Sequence, residues 1–182
     1  MLLKQIQSDR RWANSWGQVK GTEVLSTDIK DYVDHKQSEL KATGSKIEVK
    51  FHGNYRKGVV NGERNELLRI VDNLVSNSIK AADKVSNQVL VNVMMDSKRE
   101  RVIISVADDC RGMAEGLRSR IFEKQVKGQD STGYGLGLYY VKQTVDRLGG
   151  MIEVTSRVEV GTLIAIELPA TFDKIGGIQL EA

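Results

Sequence analysis

Three clusters along this chain combine residue types that can do chemistry. The first is Asn73, Asn77 and Lys80, spaced four and three apart. At 100° per residue they fall with Glu66 and Lys84 in a wedge of roughly 60° on one helix surface. Asparagine is a poor helix former, so this wedge is either a solvated polar flank or a working surface. An amide oxygen at Asn77 suits a hard divalent cation, because Mg²⁺ accepts carbonyl oxygens, keeps several waters and bridges substrate phosphates. Lys80, one turn further on, is placed to meet a phosphate. The second cluster is Val106-Ala107-Asp108-Asp109-Cys110-Arg111-Gly112-Met113, a strand pattern ending in carboxylates and a glycine turn. The third, Gly133-Tyr134-Gly135-Leu136-Gly137-Leu138, opens a helical pattern. Alternate glycines remove side chains where a helix N-terminus presents unpaired N–H groups, which makes a phosphate cradle. No Gly-Lys-Ser/Thr follows, so this is not a P-loop; the glycines follow a long loop rather than a strand, so it is not a dinucleotide fingerprint.

The elements that must position these clusters are readable from periodicity. The strongest helical pattern covers residues 64–84, with Leu67, Ile70, Val71, Leu74, Val75 and Ile79 on one broad apolar arc. An earlier helix is expected from Ser26 or Thr27 to about Thr43, with Gly44 as stop, and a later one over residues 138–148, ended by Gly149-Gly150. Residues 46–52 alternate as a half-buried strand. Further strands are expected at 88–96, 101–108, 151–158 and 162–168, and a short helix near 116–122. Residues 2–16 read as one more helix, carrying Trp12 and Trp16. The order of these elements implies an α/β (α+β) two-layer sandwich, with one mixed, mainly antiparallel sheet of about five strands covered on one face by about three helices.

Composition narrows the class. Of 182 residues, 40% are hydrophobic and 28% charged, as in a soluble globular chain. The 17 glycines stand against a single proline, and nine of those glycines lie between Gly112 and Gly161. The formal net charge of +3 is carried by residues 1–20, where four basic residues face Asp9 alone. The body is balanced, which argues against a nucleic-acid partner. Cys110 is the only cysteine, so no internal disulfide or thiolate zinc cluster can form, and cytoplasmic residence is expected. No apolar run reaches the roughly 18 residues of a membrane span. If the protein works at a membrane, its anchor lies outside this chain.

In this order, the clusters resemble the ATP-binding catalytic domain of sensor histidine kinases, in the superfamily shared with gyrase, heat-shock chaperone and mismatch-repair ATPases. The likeness spans about residues 46–169: an N box at 66–80, a first glycine box at 108–113, Ile121-Phe122-Glu123, a second glycine box at 133–138, and Gly161-Thr162. It implies the Bergerat ATP-binding fold with ATP and Mg²⁺ as cofactors. Asp108 would accept a hydrogen bond from the adenine amino group, with Met113 against the base and Thr162 acting through Asp108. Asn77 would coordinate Mg²⁺, with Asn73 and Lys80 near the phosphates as the catalytic side chains. Phe122 and the residues through Tyr134 would form an ATP lid. The turn at Gly112 and the cradle of Gly133, Gly135, Leu136, Gly137 and Leu138 complete the nucleotide site. Two departures stand out. Cys110 occupies the first glycine position of its box, so either the turn keeps an ordinary backbone or affinity falls. Ala81 stands where many such kinases carry an aromatic residue.

The superfamily's hydrolases typically place a water-activating glutamate where this chain has Asn73, which cannot act as a general base. The resemblance therefore implies transfer of the ATP γ-phosphoryl to a histidine. The chain's two histidines are unsuited: His35 precedes Lys36-Gln37 rather than an acidic residue, and His52 ends a predicted strand. The expected arrangement is residues 1–25 as helix or linker from a dimerisation domain, 26–170 as catalytic domain and 171–182 as tail. A plain N-terminal helix packed on its own core is the alternative for the first segment. The implied partners are a phospho-acceptor dimerisation domain of the same protein, through which it would homodimerise, and a response regulator. Neither nucleic acid nor direct membrane contact is expected. A regulatory ATP-binding module, an anti-sigma-type serine kinase and an ATPase are the alternatives.

Overall fold

A computed structural model describes residues 22–53, 57–60, 62–82, 87–126 and 134–172. The elements in chain order are β1 (Thr22–Leu25), α1 (Ser26–Ala42), β2 (Glu48–Gly53), β3 (Lys57–Val60), α2 (Arg64–Lys80), β4 (Gln88–Asp96), β5 (Arg101–Asp108), α3 (Glu115–Arg118), α4 (Gly137–Arg147), β6 (Met151–Arg157) and β7 (Gly161–Thr171). The expected helix over residues 2–16 lies outside the described residues.

The centre of the molecule is a five-stranded mixed sheet. β4, β5, β7 and β6 pair antiparallel in succession, and β2 adds to the far edge of β4 in parallel. One cross-sheet row, Phe51–Val91–Val106–Ile164–Val154, shows the helix-facing register. Because strand side chains alternate between faces, the same register puts Asn92, Ser105, Ala165 and Glu153 on the other face. A β1–β3 ribbon continues the sheet: β3 pairs with the last residues of β7 through Val59 and Val60, and β1 pairs with β3. Neither short strand is evident from periodicity, since Lys57-Gly58-Val59-Val60 has no alternation. β1 also falls in the stretch read from sequence as linker, so the sheet begins before Ser26.

Three helices cover one face. α2 packs on β4, β5 and α4, while α1 lies on β2 and touches α2. The arc expected on α2 is the one buried: Leu67, Ile70, Val71, Leu74 and Val75 are each at most 2% exposed, facing Val91, Ile104 and Ile166. Each such side chain contributes about 1.5–3 kcal/mol of hydrophobic stabilisation. α2 starts with the Glu66 carboxylate accepting from the Glu63 N–H at 3.1 Å, which satisfies one orphan donor of the first turn. α1 is fastened to α2 by polar contacts, with the Tyr32 hydroxyl donating to Asp72 at 2.8 Å and Arg64 pairing with Asp28 at 2.7 Å. Burial, then the hydrogen bond to Asp72, pushes the Tyr32 phenol far above its ordinary range, so it stays a neutral donor.

α2 ends at Lys80, four residues before the sequence pattern suggests, for a visible reason. Ala81 is the C-cap, and the Arg111 guanidinium donates to the carbonyl of Ala81 at 3.2 Å and of Lys80 at 3.0 Å. Carbonyls at a helix C-terminus lack intrahelical donors and carry partial negative charge, so a cation there both satisfies and stabilises them.

Candidate nucleotide site

The C-terminal half of α2 faces α4 across a cleft of about 340 Å³. From α2 it is lined by Asn73, Ser76, Asn77 and Lys80, which form a complete i, i+3, i+4, i+7 stripe. Residues 135–138 line the opposite wall, and Met113, Leu117, Ile121, Val126 and Tyr134 close the rest. Asn73, Asn77, Lys80, Met113, Gly135, Leu136, Gly137 and Leu138, all expected at a nucleotide site, line this one cleft. Gly133 lies outside the described residues, as does Lys84.

Asn73 is held by its own helix. Its amide Nδ2 donates to the Arg69 carbonyl one turn back at 2.7 Å, which compensates for an asparagine in mid-helix. Its Oδ1 faces the start of α4, where a Cβ on Gly137 would stand 2.7 Å from that oxygen. Gly137 is therefore a glycine because α4 begins against α2 at that point. Asn77 differs: among the described residues its side chain makes no hydrogen bond, although it is half-buried in the cleft wall. An unpaired amide oxygen in such a place is a ready ligand for a hard cation. Lys80, exposed, forms no salt bridge among the described residues. No Asp, Glu or His lines the cleft among those residues.

Asp108, Gly112, Thr162 and Phe122 are not part of that lining. The last position of β5 sets Asp108 behind α2, where it is reached through Ser78 rather than Asn77. Its Oδ2 accepts from the Ser78 hydroxyl at 2.6 Å, and its Oδ1 accepts from the N–H groups of Cys110 and Thr162, each at 3.1 Å. The sequence expectation that Thr162 acts through Asp108 thus has a concrete contact. Ser156 extends the network: its hydroxyl donates to the Gly161 carbonyl at 3.0 Å, accepts from the Met113 N–H at 2.8 Å and lies 2.9 Å from Thr162 Oγ1. Met113 is the member that also lines the cleft, so the network borders it there. The adjacent Asp109 has a different task. Pointing the other way, it accepts from the Gln88 N–H at 2.8 Å and from the fully buried Asn87 amide at 3.1 Å, fixing the start of β4.

The first glycine turn keeps an ordinary backbone at Cys110, which is not among the positive-φ residues. Its thiol is fully buried and donates to the Ser78 carbonyl at 3.3 Å. The positive φ falls instead on Gly112, at 65°, where a Cβ would meet the Arg157 carbonyl oxygen at 2.0 Å. Ala81, the expected aromatic position, is the helix cap described above.

The two ends of the expected lid come together at the cleft mouth. Gln125 donates its N–H to the Gly135 carbonyl at 3.1 Å, and Val126 and Tyr134 both reach the lining. Phe122 is half-buried and is not one of the lining residues. Its neighbour Ile121, 5% exposed, lines the cleft instead, because the chain beyond α3 runs in successive turns where adjacent side chains diverge. Leu117 and Ile121 stand four apart and Ser76 completes the α2 stripe, so all three were findable from helical spacing. Neither histidine approaches the cleft lining: His35 is exposed on α1 and pairs with Glu39 at 3.2 Å, and His52 is exposed on the edge strand β2.

A family model described as histidine kinase-, DNA gyrase B- and HSP90-like ATPase matches residues 62–171, which span α2, the glycine turns and the sheet down to β7. The chain belongs to this family. It is 34% identical over 114 residues to the sensor histidine kinase CitA of Klebsiella pneumoniae, covering 62% of this chain and 21% of the relative. It is 35% identical over 122 residues to the sensor histidine kinase AruS of Pseudomonas aeruginosa, covering 64% and 12%. The chain thus spans about a fifth or less of the length of these relatives. Its fold matches that of full-length ShkA in complex with AMPPNP, with a TM-score of 0.70 at 23% identity over 87% of this chain and 33% of that one. The mycobacterial sensor histidine kinase MprB gives 0.66 at 25% identity, over 84% and 99%. The open mixed sheet with helices on one face is the α/β sandwich of histidine kinase catalytic domains. Among the described residues, no helix is long and apolar enough to cross a membrane.

Proposed function

We propose that this chain is the ATP-binding catalytic domain of a sensor histidine kinase, spanning about residues 26–170, and that it transfers the γ-phosphoryl of ATP to a histidine on a dimerisation domain outside residues 26–170. The observation that carries the choice of transfer over hydrolysis is the cleft lining. Among the described residues it offers amides, an ammonium, a hydroxyl and backbone N–H groups, and no carboxylate or imidazole able to activate water. Phosphoryl transfer needs chiefly positioning and charge neutralisation, which this set supplies.

Each residue then has a role. Residues 135–138 hold the phosphates through the N-terminus of α4, where the N–H groups lack intrahelical partners. Asn77, with its unpaired amide oxygen, would hold Mg²⁺ together with phosphate oxygens and water, an oxygen-ligand environment that suits this ion. The ion would neutralise phosphate charge. Lys80 adds a cation one turn away. Asn73 spaces α2 from α4 and presents its amide oxygen to the cradle. Asp108 accepts from the adenine amino group, with Met113 packed on the base. The segment from Phe122 through Tyr134 closes over the nucleotide. By analogy with the named relatives, the partners are the dimerisation domain, through which the whole protein would homodimerise, and a response regulator. The domain works in the cytoplasm.

The deciding experiment combines the chain with dimerisation domains of related kinases and γ-radiolabelled ATP. Label on the added domain that is labile in acid and stable in base is the expected result, since phosphohistidine behaves so. Acid-stable label on serine would identify a serine kinase, and release of free phosphate alone would identify a hydrolase.

A further inference from the structure

The sequence pattern drew attention to Asp108 and passed over Ser78, yet Ser78 is one of only four buried polar residues among those described, at 6% exposure. An ionised carboxylate offers about four acceptor positions. At Asp108, Oδ1 accepts from two backbone N–H groups, those of Cys110 and Thr162, and so has none to spare. Oδ2 accepts from the Ser78 hydroxyl at 2.6 Å, leaving one position on that oxygen. The carboxylate is thus reduced to a single directed acceptor. Ser78 sets its direction, because the two backbone donors already fix the rotation of the carboxylate plane.

Ser78 is itself immobilised. It lies on the buried side of α2, between Asn77 in the cleft wall and Ile79, and its carbonyl accepts from the Cys110 thiol at 3.3 Å. The residue at the first glycine position therefore binds the helix turn that carries Ser78 to the loop following Asp108. With the helix turn, the hydroxyl and the carboxylate each held by hydrogen bonds, the remaining Oδ2 position is a preorganised acceptor for one N–H.

The geometry points to Ser78 as a positioning residue that determines base specificity: its hydroxyl aims Asp108 Oδ2 at one exocyclic N–H, so that the site selects an aminopurine over a purine lacking that amine. This rests on the nucleotide reading above. It adds that discrimination at the base depends on Ser78, whereas retention of the triphosphate does not. When the hydroxyl is lost, Oδ2 regains a second open position and takes up water, and the fixed direction is gone.

The test is titration calorimetry with Mg²⁺ present, comparing ATP with the triphosphate of unsubstituted purine riboside, for the wild type, Ser78→Ala and Ser78→Thr. ADP serves as a control for the phosphate end. A hydrogen bond to a charged group predicts that the wild type prefers ATP on the order of 10–100-fold. In Ser78→Ala this preference falls about fivefold or more, while the ratio of ATP to ADP affinity stays constant and melting shows a folded protein. Ser78→Thr, which keeps the hydroxyl, restores the preference. An unchanged preference in Ser78→Ala, or an equal loss of affinity for both triphosphates, would overturn the role of Ser78 and leave the nucleotide reading intact. Failure of the wild type to bind either triphosphate would overturn both.

Discussion

The two ends of the site are built differently. At the Asp108 end nearly every polar atom is already engaged: the carboxylate accepts three hydrogen bonds, and Ser156 gathers Met113, Gly161 and Thr162. At the opposite end Asn77 and Lys80 have no side-chain partner among the described residues, and the wall of residues 135–138 carries no polar side chain. The first arrangement suits recognition of an uncharged ring by a preformed acceptor, where fixed geometry provides selectivity. The second suits a polyanion and its cation, whose charges supply the interactions the protein leaves open. One prediction follows at once. Substitutions at the Asp108 end should cost stability and selectivity together, and substitutions at the other end should cost affinity alone.

The largest effect should come from Gly112→Ala. Its Cβ would sit 2.0 Å from the Arg157 carbonyl oxygen in a left-handed backbone, so the turn and the β6–β7 connection cannot both persist. A loss of roughly 3 kcal/mol or more is expected, read as a large drop in denaturation midpoint. Asn77→Ala should behave oppositely. Alanine is the better helix former, so stability should stay within about 0.5 kcal/mol of wild type. Mg²⁺-dependent ATP affinity should fall on the order of 100-fold, as loss of an ion ligand implies, with binding in a chelator little altered. Comparable loss with and without Mg²⁺ would remove Asn77 from the metal site.

Cys110→Gly, which restores the residue type usual at that position, should be smaller again. It removes a fully buried side chain and adds unfolded-state entropy, so a cost of about 1–2 kcal/mol is expected. Nucleotide affinity should stay within about threefold, because Cys110 already adopts an ordinary backbone. A large gain in affinity would show instead that the cysteine impairs the turn. The smallest effect should be the Glu66–Arg147 pair, which links α2 to α4 at the surface. The Arg147 guanidinium, followed by the Glu63 N–H, holds the Glu66 carboxyl below its usual value of 4.5. A carboxyl lowered in the folded state contributes stability above its unfolded pKa and loses it as pH falls through the folded one. Glu66→Gln should therefore differ from wild type by less than about 1 kcal/mol at neutral pH, the difference vanishing in acid. Paired urea titrations at neutral and acidic pH measure this.

Much of the framework was legible because it obeys simple periods. α2 and strand β4 bury one regular face each, while β5 is an apolar run buried on both faces from Val102 to Val106. The cleft residues of α2 repeat at helical spacing, so Asn73, Asn77 and Lys80 were recognisable, and Ser76 could have been. What sequence alone hid depends on long-range contact. The resemblance singles out Asp108 from its neighbour Asp109, but what separates the two physically is long-range contact, with Ser78 for the first and Asn87 for the second. Arg111 reads as a surface charge until α2 ends beneath it. β1 and β3 are short and without alternation, held by the end of β7 rather than by any pattern of their own.

The central claim is that ATP is bound with its base at Asp108. Calorimetric titration of wild type and Asp108→Asn with ATP and Mg²⁺ tests it most directly. The amide keeps the shape but turns one acceptor into a donor, which faces Ser78 and the adenine amine if it replaces Oδ2, or the N–H groups of Cys110 and Thr162 if it replaces Oδ1. Affinity should fall on the order of 10–100-fold in a protein that still folds. Undiminished affinity in a folded Asp108→Asn would contradict the account.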